Sequence, residues 1–371
     1  MLTYESPGVY VEEVPPMAMP IAGVGTSTAA FIGVVAEEKI TEKPTLITNW
    51  TGFIERFGAF STENELLAHA VFGFFHNGGT RCWIVGVKSL EDVTTDNLIK
   101  IAAIDEVAIV AAPGATTKEH HAVLMEHCSN LGDRFAILDG NERINKSTES
   151  LADGVCASGR SETGQYAAVY FPWIQVANPL VKGTTRTIPP SGHIAGVYAR
   201  TDAKRGVHKV PANEAILGAL DLEYRLGKSE QDVLNPANIN VIRDFNGAIK
   251  IWGGRTRAAE KSSEYRYIST RRYMNFLRES IEKGTQWVVF EPNTPALWER
   301  IKRTLNDFLT SQWRNGALFG ETAKQAFYVK CDAETNPAQN RELGQVVTEI
   351  GVAIVKPAEF VVFRIQQQSG D

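Results

Sequence analysis

No two cysteines of this chain stand close enough to form a redox or metal-binding pair: Cys82, Cys128, Cys156 and Cys331 are scattered, without a CxxC spacing. That pattern excludes a disulfide framework and fits reduced, buried thiols in a protein made in the cytosol. A surplus of positive charge is also missing. With 38 basic against 43 acidic residues the formal net charge is −5, so no global signal for nucleic acid is present. Long apolar runs are lacking too. The one uncharged stretch, 14–36, is broken by Pro15, Pro16, Pro20, Gly23 and Gly25. Glu5, Glu12 and Glu13 precede it where an export signal would carry Lys or Arg, so neither a signal nor a membrane insertion is expected.

The motifs of catalysis are equally sparse. Gly23-x-Gly25 has Thr28 where a dinucleotide fingerprint needs its third glycine, and no strand leads into it. The run APGATTKE at 112–119 lacks the spacing that cradles phosphates, and Asp244-Phe245-Asn246-Gly247 stands without the other elements of a kinase. His120, His121, His127 and Cys128 share one expected helix, but the pairs His120/His127 and His121/Cys128 lie about two turns apart, too far for easy shared ligation. Ser191 sits beside His193 without a GxSxG elbow or an evident third partner. Paired carboxylates at Glu12–Glu13 and Glu37–Glu38 occupy segments that read as solvated. No catalytic residue, cofactor or metal ligand is therefore expected.

What is present is a globular chain of 371 residues, 43% hydrophobic and 22% charged, long enough for two or three domains. Apolar runs at 29–35, 44–48, 82–87, 107–112, 135–138 and 166–171 read as buried strands. Helical periodicity at 50–57, 64–77 and 118–131 falls between them. Continuous apolar strands alternating with helices predict a mainly parallel α/β sheet covered on both faces. Further on, a helix opens at 189 with Ser191 as its expected cap. A hairpin over 240–252 turns at Asn246–Gly247. Charged helix 264–283, strand 287–290, helix 295–313 and strand 326–331 follow. The chain closes with two β-rich runs, 344–355 and 359–365, split by Lys356–Pro357.

Both ends thus carry a short apolar strand on a proline-containing link. Near the start, Val9 and Val11 alternate with Tyr10 and Glu12 before Val14, bounded by Pro7 and Pro15–Pro16. A lone strand of this length has no independent stability. Eight linker residues, 15–22, span roughly 26 Å when extended, enough to reach a neighbouring molecule. Such strands suit addition to a neighbour's sheet edge, and equally suit pairing at home; pattern alone leaves both open.

Read in order, the unusual strings match one family. They are SPGVYVEEVPP (6–16), GVGTSTAAFIG (23–33), LITNWTGFIERFG (46–58), GFFHNGGTRCWIV (73–85) and YFPW (170–173). PPSGHIAGVYARTDAKRGVHKVPANE (189–214), LNPANINVIR (234–243), GTQWVVFEPN (284–293), WRNGALFG (313–320) and PAEFVVFRI (357–365) complete the set. The chain resembles the contractile tail sheath proteins of phages, bacteriocins and extracellular injection systems. The resemblance implies an α/β fold, α+β overall, in four parts: an N-terminal strand arm and linker (1–22), an α/β sheath domain (23–258) whose core from about 88 is subtilisin-like without protease activity, a C-terminal α+β inner domain (259–355), and a C-terminal strand arm (356–371). It further implies a subunit made in the cytoplasm and built into a phage tail or related particle, with partners of its own kind in stacked hexameric rings, an inner tube protein, and baseplate and terminal cap proteins.

On that resemblance, Val9, Tyr10, Val11, Glu12 and Val14 at one end, and Phe360, Val361, Val362, Phe363 and Ile365 at the other, are the expected inter-subunit strands. Pro15, Pro16, Pro20, Lys356 and Pro357 are the expected hinges. Arg271, Arg272, Arg278, Lys302 and Arg303 are candidates for releasable ion pairs with an acidic tube, against the alternatives of a solvated helix face or sheath-to-sheath contacts. Another self-assembling structural protein, of capsid or surface-layer type, and an α/β enzyme are the rival classes.

Overall fold

The structure, a computed structural model, describes residues 20–144, 150–362 and 364. The described residues divide into two compact units: 23–279 with those from Ile354 onward, and Ser280–Ala353 with 20–22. No helix among the described residues is long and apolar enough to cross a membrane.

The larger unit runs β1 (Ala29–Val34), β2 (Thr45–Ile47), α1 (Trp50–Phe57), α2 (Glu65–His76), β3 (Cys82–Val87), α3 (Thr95–Ala102), β4 (Ile109–Ala111), α4 (Lys118–Leu131), β5 (Phe135–Asp139) and α5 (Leu151–Val155). It continues through β6 (Ala167–Phe171), β7 (Ile174–Ala177), β8 (Thr185–Ile188), α6 (Ser191–Arg205), β9 (Asp221–Leu222), α7 (Lys228–Leu234), β10 (Ile239–Phe245) and β11 (Ala248–Trp252) to α8 (Ile268–Gly284), whose last turn crosses the boundary between units. Eight strands form one sheet in the order β11-β10-β6-β5-β4-β1-β3-β2, parallel except at its two edges. The pleat explains why its strands are apolar throughout. Ala29 and Phe31 face a core with Leu67, Val71, Phe74, Ile194 and Tyr198, while Ala30 and Ile32 face the other with Leu98, Ile101, Leu124 and Met125. The sheet is thereby covered by helices on both faces, as its continuous apolar strands predict.

Close approach of α2 and α6 depends on glycine. A Cβ at Gly192 would fall 2.3 Å from the Ala70 Cα, and one at Gly196 2.4 Å from the Phe74 carbonyl oxygen. The hairpin β10–β11 turns where expected, with Asn246 and Gly247 both at positive φ (54° and 87°), the signature of a type I′ turn. Ser191, expected as a cap, is instead the first residue of α6, and its hydroxyl bonds a carboxylate from β5. The small antiparallel sheet β8-β7-β9 was not signalled: its strands are only two to four residues long, and Thr185 and Arg186 are exposed.

In the smaller unit, α9 (Pro295–Arg314) begins with a Thr294 cap and proline in its first turn, and buries Leu297, Trp298, Ile301, Leu305, Phe308 and Leu309 along one stripe. Then come α10 (Ala323–Ala326), β12 (Phe327–Lys330), α11 (Ala338–Glu342) and β13 (Glu349–Val352). Asn336 organises the link between the strands, accepting from the Val347 N–H and donating to the Val347 and Asp332 carbonyls. The strand expected at 287–290 does not form. Gln286–Val288 is a 3-10 turn, Glu291 N–H closes onto the Val288 carbonyl, and the Trp287 ring lies against the Arg300 guanidinium at 4.6 Å.

Candidate assembly surfaces

In doubly wound sheets a ligand sits outside the carboxyl ends of the strands, where the order reverses. Taken in chain order, the six parallel strands lie 2-1-3-4-5-6, which puts that point between β1 and β4. The acid beside it, Asp139 at the end of β5, is occupied internally. It accepts from Gly114 N–H (3.0 Å), Ser191 N–H (2.9 Å) and Ser191 O–H (2.7 Å). Burial pushes its carboxyl up to about 6, against the lowering effect of those donors. His193 does not complete a triad with Ser191: it packs against Gly73 of α2, and His69 and His76 share its surroundings. Burial, helped by these two neighbours, depresses His193 to about 3.

His121 makes a second buried cluster. Its ring nitrogens meet the Ser158 hydroxyl (2.8 Å) and the Asp139 carbonyl (3.1 Å), and Cys156 Sγ lies 3.6 Å away. This joins α4 to the segment before β6 and leaves both ring nitrogens engaged. Among the described residues no group of three or more His, Cys, Asp or Glu is arranged to hold a metal ion.

The arginines expected to face a partner divide. Arg271 and Arg272 are turned inward, and this corrects the expectation for both. Arg271 is buried between the Tyr166 and Tyr265 rings and donates to Asn275 and Gln165. Arg272 forms a two-pronged pair with Asp202 (2.6 and 3.0 Å), lies 4.6 Å from the Tyr198 ring, and donates to the Thr26 carbonyl. Thr26 O–H also donates to Asp202. An arginine reads as surface in a sequence, but here the partner that admits it inside lies 70 residues away. Removing one half of such a pair leaves an uncompensated buried charge. Asp202→Ala is expected to lower the unfolding free energy by about 3–5 kcal/mol, measured as a shift of the urea midpoint. Arg278 and Arg303 are exposed, and Lys302 is half-buried and paired with Glu299 at 2.6 Å.

Of the expected strand and hinge residues, Val9, Tyr10, Val11, Glu12, Val14, Pro15, Pro16, Phe363 and Ile365 lie outside the described residues. Pro20 and Lys356 are exposed, and Pro357 is half-buried. Phe360, Val361 and Val362 are 72%, 69% and 78% exposed and belong to no strand. Immediately before them Glu359 is held by the larger unit, with its carboxylate on Arg255, Asn235 and Tyr267.

The smaller unit shows the complementary feature. β12 and β13 form an antiparallel sheet of two strands, so among the described residues each has an edge without a neighbour. Two strands alone are marginal, and open edges are templates for another chain. Apolar groups stand exposed in the same unit: Val289, Phe290, Phe319, Tyr328 and Leu343. Phe290 is fully exposed and has φ of +69° at the third position of a four-residue turn that favours glycine or asparagine there. Sequence reasoning missed it because the run QWVVF reads as a strand.

Two family models match the chain: the phage tail sheath protein central domain over residues 94–257 and the phage tail sheath C-terminal domain over residues 260–368. A prophage major tail sheath protein of Pseudomonas aeruginosa is 26% identical over 265 residues, covering 70% of this chain and 64% of that protein. The tail sheath protein of Burkholderia phage BcepMu is 22% identical over 321 residues, covering 83% and 63%. The chain thus spans under two thirds of the length of these curated relatives. Among solved structures, the sheath of the PVC extracellular contractile injection system in its contracted state is 30% identical, with a TM-score of 0.81 over 99% of both chains. The contracted helical sheath of the anti-feeding prophage is 28% identical, with a TM-score of 0.78 over 99% of this chain and 100% of that one. A sheath tail protein from Desulfitobacterium hafniense, 9% identical with a TM-score of 0.62, shares the fold.

Proposed function

The chain belongs to the phage tail sheath family, and from that premise we propose that its copies stack as hexameric rings into a helical sleeve around an inner tube. Contraction of the sleeve drives the tube through a target envelope. Family membership implies a structural role. The observation that supports the assembly reading is an exposed apolar run at Phe360–Val361–Val362 that belongs to no strand, together with a two-stranded sheet whose outer edges have no neighbour among the described residues. A neighbour's arm added to such an edge gains backbone hydrogen bonds and buries alternate side chains.

The N-terminal residues Val9, Tyr10, Val11, Glu12 and Val14 serve in the same way, with Pro15, Pro16, Pro20, Lys356 and Pro357 as hinge positions. Strand junctions then keep subunits connected while the globular bodies repack into the contracted array. No nucleotide is needed during firing if the extended sleeve is assembled in a metastable state. The baseplate is the natural starting partner and a terminal cap the finishing one. Arg278, Lys302 and Arg303 remain candidate tube contacts. Deleting residues 1–14 tests the reading. A folded chain that no longer forms long sheaths supports it, and normal long sheaths from the truncated chain overturn it.

Phe290 belongs to the same assembly surface. A bulky ring at a positive φ with its whole surface in water is disfavoured twice in the isolated subunit. Phe290→Gly is expected to raise the unfolding free energy of the isolated chain by about 1 kcal/mol while lowering the yield of sedimentable sheaths. Unchanged sheath yield removes Phe290 from the contact.

A further inference from the structure

The C-terminal segment from 354 to 362 contains no helix or strand of its own among its described residues, yet one side chain in it is tied down by three separate elements of the larger unit. Glu359 Oε1 accepts from Arg255 Nε (2.9 Å) and Asn235 Nδ2 (2.9 Å). Its Oε2 accepts from Arg255 Nη2 (2.9 Å) and the Tyr267 hydroxyl (2.9 Å). Asn235 ends α7, Arg255 follows β11, and Tyr267 immediately precedes α8.

The arginine is itself fixed from behind. Arg255 Nη1 donates to the Asn235 carbonyl (2.9 Å). Its backbone N–H and C=O are both met by the Asn240 side chain of β10 (2.7 and 2.8 Å). Asn240 also donates to the Val169 carbonyl of β6, so the chain of bonds runs from the arm into the central sheet. The Arg255 side chain is 11% exposed and that of Glu359 19%. A half-desolvated, two-pronged guanidinium–carboxylate pair with two further donors is far stronger than a surface ion pair. The groups facing Glu359 are donors throughout. Burial alone would raise its carboxyl, but the bonds from Arg255, Asn235 and Tyr267 outweigh that and hold it below the ordinary value. Around Arg255, a cavity of about 170 Å³ is lined also by Arg160, Asn238, Glu260 and Arg266.

We propose that Glu359 is the fastening of the C-terminal arm to its own subunit. When a neighbour holds Phe360–Val361–Val362, the pull enters the central sheet through Arg255 and Asn240. It does not run back along the Lys356–Pro357 link. The inference rests on the sheath reading and moves the working hinge of the arm beyond Glu359. Residues 354–359 travel with the larger unit, and residues after Glu359 travel with the neighbour. Tyr267 and Asn235 act as positioning residues that fix the carboxylate in the plane of the guanidinium.

Two readouts test this, one on the isolated chain and one on the assembly. A nitroxide on Cys at position 361 (Val361→Cys) should show a restricted spectral component in the otherwise unchanged chain. Glu359→Gln should lose most of that component and Tyr267→Phe part of it, and Glu359→Gln should also lower the urea midpoint because the buried Arg255 loses its carboxylate. In sheaths formed with the tube protein, Glu359→Gln should give sleeves that break into short pieces on contraction, where the unsubstituted chain gives full-length contracted sleeves. Equal label mobility in both chains, or full-length contracted Glu359→Gln sleeves, overturns the proposal. Failure of the unsubstituted chain to form sleeves at all would instead count against the sheath reading, and the label measurement on the isolated chain would still decide the fastening.

Discussion

A chain ending at Glu359 will unfold at nearly the same temperature as the full chain and will form essentially no sheaths. The first half follows from burial. Phe360, Val361 and Val362 are largely exposed and contribute little to either core, so their removal should move Tm by about 2 °C or less. The second half follows from what a junction loses. Covering the alternate side chains of this run contributes on the order of 1.5–3 kcal/mol each, and each backbone hydrogen bond of an added strand contributes about 1 kcal/mol more. Several kcal/mol per junction is a factor above roughly a thousand in the association constant, multiplied along a polymer. Sedimentation with electron microscopy reads the loss directly. Abundant sheaths from the shortened chain would show that the C-terminal strand is dispensable.

The second large effect is acid instability of the larger unit. Burial depresses His69 and His121 to about 4 and His193 to about 3. Arg186 adds to the effect at His69, Arg257 and His120 at His121, and the two neighbouring histidines at His193. His127 is depressed to about 4 by burial and Arg134. Near pH 7 these rings are neutral in both folded and unfolded chains and contribute nothing to the difference. Below about 6.5 the unfolded chain takes up protons that the folded chain refuses until about 4, so stability falls as pH falls through that window. Each fully buried ring contributes about 2 kcal/mol of loss between pH 7 and pH 5. Half-buried His127 contributes less because solvent screens it. Asp139 opposes: raised to about 6 in the folded chain, it regains roughly 1.4 kcal/mol over the same interval. The expected net loss is about 5 kcal/mol from pH 7 to pH 5, read from urea midpoints. A flat profile would mean that these rings are protonated in place.

Much of the larger unit was legible because its signals are local. The runs AAFIGV, CWIVGV and AAVYF are apolar on both faces, which only a sheet covered on both sides accommodates. Asn246–Gly247 names its own turn, and Thr294–Pro295 names the start of α9. What stayed hidden depends on partners distant in sequence. Arg272 looks like a surface charge until Asp202, Thr26 and Tyr198 surround it. Glu359 looks like a solvated acid in a strand, although its isolation before FVVFRI was a signal that it has a private partner. The turn at Phe290 defeats propensity because its residue disagrees with its conformation, and such disagreements concentrate where a surface has work outside its own fold. Asp139 was hidden for the same reason: its donors, Gly114 N–H and the Ser191 N–H and O–H, lie 25 and 52 residues away.

The central claim is that this chain builds a sleeve. The measurement that tests it most directly is electron microscopy of the purified protein, alone and coexpressed with candidate tube proteins. Hollow helical sleeves with six-fold rings are the predicted result. Monomers under every condition, or flat sheets and closed shells in place of tubes, would contradict the account.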